Sequence, residues 1–309
     1  MTTNLTEIGW TDENGSLLGT WTNQGDVVED GIGINVEQNL IVNTLGGNDV
    51  INSDSDESDG IALDNGSQLN TGNGSDTITG SGFIGVDLEF DALIDTGNGN
   101  DTITGTGFDG FFLGISSTIL TGNGSDTISG TGLAVGLNSR GTIDTGNGND
   151  TIIAVAEGRT PDDFFGSTGL SNFLGTIDTG NGSDTIIARG EGVAISNTSG
   201  TINTGRGNDI IDALAGGFSD SDGSGRIDLG AGADLIRGFG DHQGTIDGGR
   251  GPDQAELGLD YDETLISFSS SGSASIDITF DSATMSFTNI ELFDFNGQEF
   301  SLEQLQAQV

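Results

Sequence analysis

The chain has 309 residues, only 32% of them hydrophobic, with 55 glycines and no cysteine, and its 48 acidic residues against 7 basic ones leave a formal net charge of −41. That charge has the wrong sign for nucleic acid or an anionic membrane surface, and the lack of cysteine excludes a disulfide framework. No run approaches the roughly 18 apolar residues of a membrane-spanning helix, and glycine at this level without a Gly-X-Y period is not collagen. The first stretch, MTTNLTEIGWTDENG, has neither the basic nor the apolar region of a Sec-type signal peptide. Residues 1–41 alternate apolar and polar positions (Ile8, Trp10; Leu17, Trp21; Ile32, Ile34, Val36) around turns at Asn14-Gly15 and Gln24-Gly25. This pattern predicts a strand-rich N-terminal cap. Its two tryptophans either pack inside the cap or form an adhesive surface.

From residue 42 to 255 one frame returns again and again. It reads LNTGNGSDTI from Leu69, IDTGNGNDTI from Ile94, ILTGNGSDTI from Ile119, IDTGNGNDTI from Ile143 and IDTGNGSDTI from Ile177. It continues from Ile202, Ile227 and Ile246, and a degenerate copy, VNTLGGNDVI, begins at Val42. The last acid of each copy is Asp49, Asp76, Asp101, Asp126, Asp150, Asp184, Asp209, Asp234 or Asp253, so neighbouring copies are 27, 25, 25, 24, 34, 25, 25 and 19 residues apart. Periods in this range mark a solenoid whose coils bury apolar faces against one another. Ile or Leu before the turn (Leu69 to Ile246) and Ile after it (Ile78 to Ile236) predict two internal ladders, and Phe83, Phe108 and Leu133 a third. An Asx row (Asn70, Asp95, Asp144, Asp178, Asn203, Asp228, Asp247) precedes the turn, as support for a metal shell or as turn capping. Glycines that open the backbone, followed by a carboxylate at fixed offset, offer oxygen ligands of the kind calcium takes. Stacked coils would set the aspartates about 4.8 Å apart, where bare carboxylates repel by roughly 3 kcal/mol per contact at an effective dielectric of about 20. Cations between coils turn that repulsion into cross-links.

The frame resembles the glycine- and aspartate-rich nonapeptide of the repeats-in-toxin (RTX) family, G-G-x-G-x-D-x-U-x, which builds calcium-bound parallel β-rolls. Gly248-Gly249-Arg250-Gly251-Pro252-Asp253 matches in full, while most copies carry Thr for the first glycine and the Val42 copy has displaced glycines. Only one side of each coil holds the motif; the other holds plainer turns such as Asn138-Ser139-Arg140-Gly141 or Asn197-Thr198-Ser199-Gly200. The resemblance therefore implies an all-β, right-handed parallel β-solenoid of about nine coils with strand-rich caps, and several calcium ions in one row rather than two. The ligands it implies are Gly72, Gly74 and Asp76; Gly97, Gly99 and Asp101; Gly122, Gly124 and Asp126; Gly146, Gly148 and Asp150. They continue as Gly180, Gly182 and Asp184; Gly205, Gly207 and Asp209; Gly230, Gly232 and Asp234; Gly249, Gly251 and Asp253, with Asp49 at the degenerate end.

The long interval before Asp184 holds an insertion, Glu157 to Phe165, expected as a loop that tucks Phe164 onto the body or carries binding. Acidic runs at Asp54–Asp59 and Asp220–Asp222 do not fit the EF-hand spacing and read as solvated loops. Residues 256–309 read as strands around Leu265–Phe268, Ala274–Phe280 and Met285–Phe293, then a turn at Asn296-Gly297 and a short helix from Ser301 with Gln304 at capping-box spacing. This block is similar to the C-terminal segment that closes the roll and carries the export signal in RTX-like proteins. It implies type I secretion without an N-terminal signal, and an extracellular or cell-surface location. Calcium supply agrees, since extracellular sites bind at about 10⁻⁴ to 10⁻³ M.

Enzyme chemistry finds little footing. The single histidine, His242, lies in a Gly-Asp-His-Gln-Gly segment that reads as an exposed turn between coils, and there is no cysteine or lysine. Paired carboxylates for glycan chemistry cannot be located in so acidic a chain. The expectation is a secreted, calcium-binding structural protein of the cell surface or matrix. Two capped ends rich in apolar strands would allow head-to-tail growth into a homopolymer. The alternatives are a polysaccharide-modifying enzyme, an ice- or surface-binding adhesin module using rows of Thr and Asn, and a calcium buffer. Partners besides calcium would be a polysaccharide or another cell-surface component.

Overall fold

Most repeats fold as three short strands joined by turns, because β-branched residues alternate with polar ones at period two and glycine or Asx punctuates the coil. In Thr102–Leu113, Thr127–Ser139 and Asp241–Asp247 one strand runs through a corner and serves two ladders. The computed structural model describes residues 3–6, 8–11, 16–158, 167–220, 222–262, 266–272 and 274–308. The insertion residues 159–166, with Pro161, Phe164 and Phe165, lie outside them. The architecture is an all-β parallel solenoid: successive coils stack strand on strand with identical positions in register. Eight motif turns, from Asn73 to Arg250, are bridged in one continuous row.

Three strand ladders enclose the core. The strands after the motif turn align Val28, Ile51, Ile78, Ile103, Ile128, Ile152, Ile186, Ile211 and Ile236 as one fully buried column. The strands before it align Val42, Leu69, Ile94, Ile119, Ile143, Ile177, Ile202, Ile227 and Ile246. Both ladders stand where the sequence puts them. The third does not. Its core column is Val86, Phe111, Leu137, Leu170 and Ile195, whereas Phe83 is 62% and Leu133 45% exposed. Phe83 and Phe108 stack on each other at 5.4 Å and 6° on the outside of the corner. They follow Gly82 and Gly107, where the chain turns between ladders, so they fall out of the inward alternation.

The coil pattern reaches into both terminal segments. Val27–Asp30 pairs in parallel with Val50–Asp54, and Ile34–Val36 with Ile61–Leu63, although both precede residue 42. At the other end Ala283–Thr288 and Leu292–Phe295 continue the parallel ladders. Beyond these the pairing becomes antiparallel: Thr3–Thr6, Gly9–Thr11 and Leu17–Gly19 at one end, and Ile266–Gly272 with Ser275–Phe280, and Gln298–Ser301, at the other. A helix, Leu302–Gln306, starts in the expected capping box of Ser301 and Gln304. The two ends differ. Ile8, Leu17, Leu18, Val27, Ile41 and Leu45 are exposed at the N-terminal end, while Phe287, Phe293 and Phe295 are fully buried at the C-terminal one. Phe268, Phe280 and Phe300 of the same C-terminal block are partly buried against that core.

Candidate metal centre

The motif turn is built by its glycines. In Asn98-Gly99-Asn100-Asp101, Gly99 has φ +145°, and a Cβ there would lie 1.5 Å from the carbonyl oxygen of Gly74 in the coil before it. No side chain fits, so the second glycine of each copy is obligatory. The turn it makes directs the following aspartate into the solenoid, and Asp49, Asp76, Asp101, Asp126, Asp150, Asp184, Asp209, Asp234 and Asp253 are all 0 to 2% exposed.

These aspartates form one hydrogen-bonded column. Oδ1 of each accepts the backbone N–H of the aspartate one coil earlier: Asp76 to Asp101, Asp101 to Asp126, Asp126 to Asp150 and Asp150 to Asp184, each at 2.8 Å. The same bond runs Asp184 to Asp209 and Asp209 to Asp234 at 2.8 Å, and Asp234 to Asp253 at 2.9 Å. The second oxygen is different. Oδ2 of Asp76, Asp101, Asp126, Asp150, Asp184, Asp209, Asp234 and Asp253 is buried with no hydrogen-bond partner. Thr96, Thr121, Thr145, Thr179 and Thr204 set a hydroxyl beside five of these carboxylates, but each of those hydroxyls donates to a carbonyl of the next coil. Eight consecutive carboxylates thus each keep one interior oxygen without a hydrogen bond, an arrangement that proteins do not leave unpaired without cause. Burial is the largest influence on the acidity of seven of them and pushes their pKa up: Asp101, Asp150 and Asp234 to about 6, Asp209 to about 7, and Asp126, Asp184 and Asp253 in the same direction. The hydrogen bond from the neighbouring coil opposes this, and the adjacent carboxylates add to it. Asp49 has a partner for Oδ2, the hydroxyl of Thr44.

The glycines divide into two sets. Carbonyls of the first glycines are engaged: Gly72 accepts Asn98 N–H at 2.9 Å and Gly97 accepts Asn123 N–H at 3.1 Å, and Gly122, Gly146, Gly180, Gly205 and Gly230 repeat the bond, while Gly249 stands at the end of the row. Carbonyls of the second glycines (Gly74, Gly99, Gly124, Gly148, Gly182, Gly207, Gly232, Gly251) accept no hydrogen bond among the described residues. Free backbone oxygens and bare carboxylate oxygens therefore recur in every motif turn. No point gathers three or more acidic, His or Cys side chains among the described residues, so a cation here would take one or two carboxylates and backbone oxygens. The donor set is all oxygen, which fits a hard cation and not zinc or copper.

Two features were not read from the sequence, the ends of the column and the role of the threonine row, while the Asx row takes the second of its two readings. Asp26 and Glu291 extend the column at its ends: Asp26 N–H donates to Asp49 at 2.7 Å, and Asp253 N–H donates to Glu291 at 2.8 Å. Gln24-Gly25-Asp26-Val27-Val28 echoes Gly47-Asn48-Asp49-Val50-Ile51, a signal short enough to pass over. The Thr that replaces the first glycine is buried, and its hydroxyl donates to the next coil's carbonyl, from Thr71 at 3.4 Å to Thr204 at 2.8 Å. The Asx row caps turns: Asp178 accepts Gly180 N–H at 3.1 Å and Asp247 accepts Gly249 N–H at 3.0 Å. His242 is not on an exposed turn. It is fully buried in the strand Asp241–Asp247, neither ring nitrogen has a partner, and burial pushes its pKa down.

No family model matches the chain, and no curated protein sequence matches it. Among solved structures it is similar to a hyperactive, Ca²⁺-dependent, β-helical antifreeze protein from an Antarctic bacterium, known from an X-ray crystal structure. Identity is 16%, the match covers 83% of this chain and 78% of that one, and the TM-score is 0.39.

Proposed function

We propose that the chain is an extracellular, calcium-folded β-solenoid whose role is structural or surface-binding. The observation that carries this reading is the column of eight buried carboxylates, each with an unpartnered Oδ2. A cation supplies the missing positive charge and links successive coils. Asp76, Asp101, Asp126, Asp150, Asp184, Asp209, Asp234 and Asp253 would hold it, with the free carbonyls of the second glycines at hand in the same turns. Calcium is the hard cation abundant outside cells, and RTX-like export through a type I channel would keep the chain unfolded until it meets that supply. Folding after export follows from the same physics, because binding free energy is folding free energy when the apo site is unstable.

Circular dichroism of the full chain in excess chelator and then in millimolar calcium tests this. A cooperative gain of β signal is expected; an unchanged signal overturns the reading. We read the chain as non-enzymatic, since its lone histidine is sealed in the interior. Head-to-tail growth into a homopolymer stays part of this reading, with the exposed apolar residues of the N-terminal end as one of its two contact surfaces. Among the alternatives, a surface-binding solenoid is favoured over a polysaccharide-modifying enzyme by one observation, the uncharged face described next.

A further inference from the structure

The acids of this chain are not spread evenly over its surface. Among the described residues, the motif turns and the first part of the strands that follow them (residues 73–81, 98–106, 123–131, 147–155 and 181–188) direct no ionised side chain outward, although the chain holds 48 acidic residues. The exposed Asp54 and Arg189 bound this face at its two ends. The aspartates in these stretches all point inward. Outward acids lie on the other ladders, for example Asp95, Asp144 and Asp178 before the turn and Asp87 after the corner.

The uncharged face is a grid. One column runs from Asn73 through Asn98, Asn123 and Asn147 to Asn181, and each side-chain amide donates to the one before it at 2.8 to 3.1 Å. Beside it Ser and Asn alternate from Ser75 to Ser183, each accepting a backbone N–H from the next coil, as Asn100 Oδ1 does from Ser125 at 2.8 Å. The next column is threonine throughout, from Thr77 to Thr185, in register. The one after it reads Thr79, Thr104, Ser129, Ile153 and Ile187, polar in its first three coils and apolar in the last two. Rows repeat at about 4.8 Å between coils and roughly 6.8 Å between alternate residues of a strand. β-Branching fixes χ1 of the threonines, and the amide ladder fixes the asparagines, so the grid is rigid before anything binds.

We infer that this face binds a neutral, ordered solid, and that the solid is ice. The inference rests on the surface-binding reading above. A ligand for a charge-free patch on a chain of net charge −41 is itself uncharged. A rigid grid that repeats in two directions suits a lattice better than a single flexible molecule, because neither partner loses freedom on contact and many weak contacts add. The asparagine, serine/asparagine and threonine columns offer hydroxyl or amide groups that both donate and accept, the capacity of lattice water, and the threonine methyls exclude liquid water between them. A neutral crystalline glycan would instead draw on aromatic platforms. The Phe83–Phe108 stack lies at the rim of the grid and not within it.

The test is partition into growing ice by the full chain in millimolar calcium, with circular dichroism to confirm folding. The wild-type chain should be taken up by ice. Thr102→Lys with Thr127→Lys, in the middle of the grid, should lose uptake to the level of an inert protein. Thr142→Lys with Thr176→Lys, outward on the ladder before the turn, should retain it. Exclusion of the folded wild-type chain from ice overturns the inference, as does full uptake of the folded grid variant. Binding to powdered cellulose or chitin that the grid variant loses, without ice uptake, would reassign the face to a neutral glycan. If the chain proves folded without calcium, the calcium reading fails and the same partition still judges the face.

Discussion

Replacing one column carboxylate by its neutral isostere should change sign with calcium. In Asp101→Asn the amide oxygen still accepts the Asp76 N–H, now at 2.8 Å to Oδ1, and the second atom faces the Thr96 hydroxyl that already lies beside the carboxylate. Burial raises Asp101 from 3.8 to about 6. At 1.36 kcal/mol per unit, holding it ionised at pH 8 costs about 3 kcal/mol of stability. Asparagine removes that cost, so in chelator at pH 8 the variant should be more stable than wild type by up to about 3 kcal/mol. In millimolar calcium it should be less stable, because it has lost a charged ligand from a site coupled to coils on both sides. Denaturant unfolding of both chains in both solutions measures this. If wild type is unfolded in chelator, the gain appears as recovered β signal in the variant. A change of the same sign in both solutions would refute a cation-holding column.

Three further outcomes follow. Without calcium, protonation of Asp101, Asp150, Asp209 and Asp234 favours the fold: their folded pKa values of about 6 to 7 lie above the unfolded 3.8. That stability is fully present below pH 3.8 and is lost as pH rises through 6 to 7, so the β signal in chelator should fall between pH 5 and pH 8, and calcium should abolish the fall. Asp126→Ala and Asp150→Ala should raise the calcium midpoint of folding more than Asp49→Ala, because Asp49 Oδ2 already has the Thr44 hydroxyl while theirs are bare; equal midpoints in a calcium titration would count against this. Gly124→Ala places a Cβ 1.5 Å from the Gly99 carbonyl at φ +150° and should cost upwards of about 4 kcal/mol, whereas Gly297→Ala, at φ +88° with nothing within 4 Å, should cost only about 1 to 3 kcal/mol in thermal melts.

Repetition made most of this fold legible. The two isoleucine ladders and the aspartate column recur at one frame, and in-register stacking maps sequence identity directly onto spatial adjacency. What escaped the sequence lies where the period breaks. Phe83, Phe108 and Leu133 occupy equivalent places in their repeats, and equivalence alone cannot tell an inward column from an outward one at a corner. Asp26 and Glu291 continue the column from coils whose turns lack the Thr-Gly-Asn-Gly frame. The division between engaged and free glycine carbonyls depends on peptide orientation, which composition does not encode.

The burial of His242 has the same origin. The aspartates Asp234 and Asp253 are only 19 residues apart, and that short coil has a single strand, Asp241–Asp247, doing duty for two ladders: it pairs with Phe218–Asp220 at its start and with Arg226–Asp228 at its end. The shortcut draws His242 inward, onto a column whose members change character along the solenoid. Val36, Leu63, Leu88 and Leu113 are its first members, then Ser139 and Asn172, then Asn197 and Asp220, and all are buried. The polar members cap the corner. Ser139 Oγ accepts Gly141 N–H at 3.3 Å, Asn172 donates to Asn197 at 2.8 Å, and Asp220 Oδ2 accepts Gly225 N–H at 2.9 Å. The plain turns at Asn138-Ser139-Arg140-Gly141 and Asn197-Thr198-Ser199-Gly200 thus supply buried hydrogen bonds that the apolar corners of the first coils do not use. His242 follows Asp220 in this column and is itself followed by the buried Met285, and its ring lies against Phe218 with centres 6.3 Å apart. A neutral imidazole in that place fills the corner of a shortened coil.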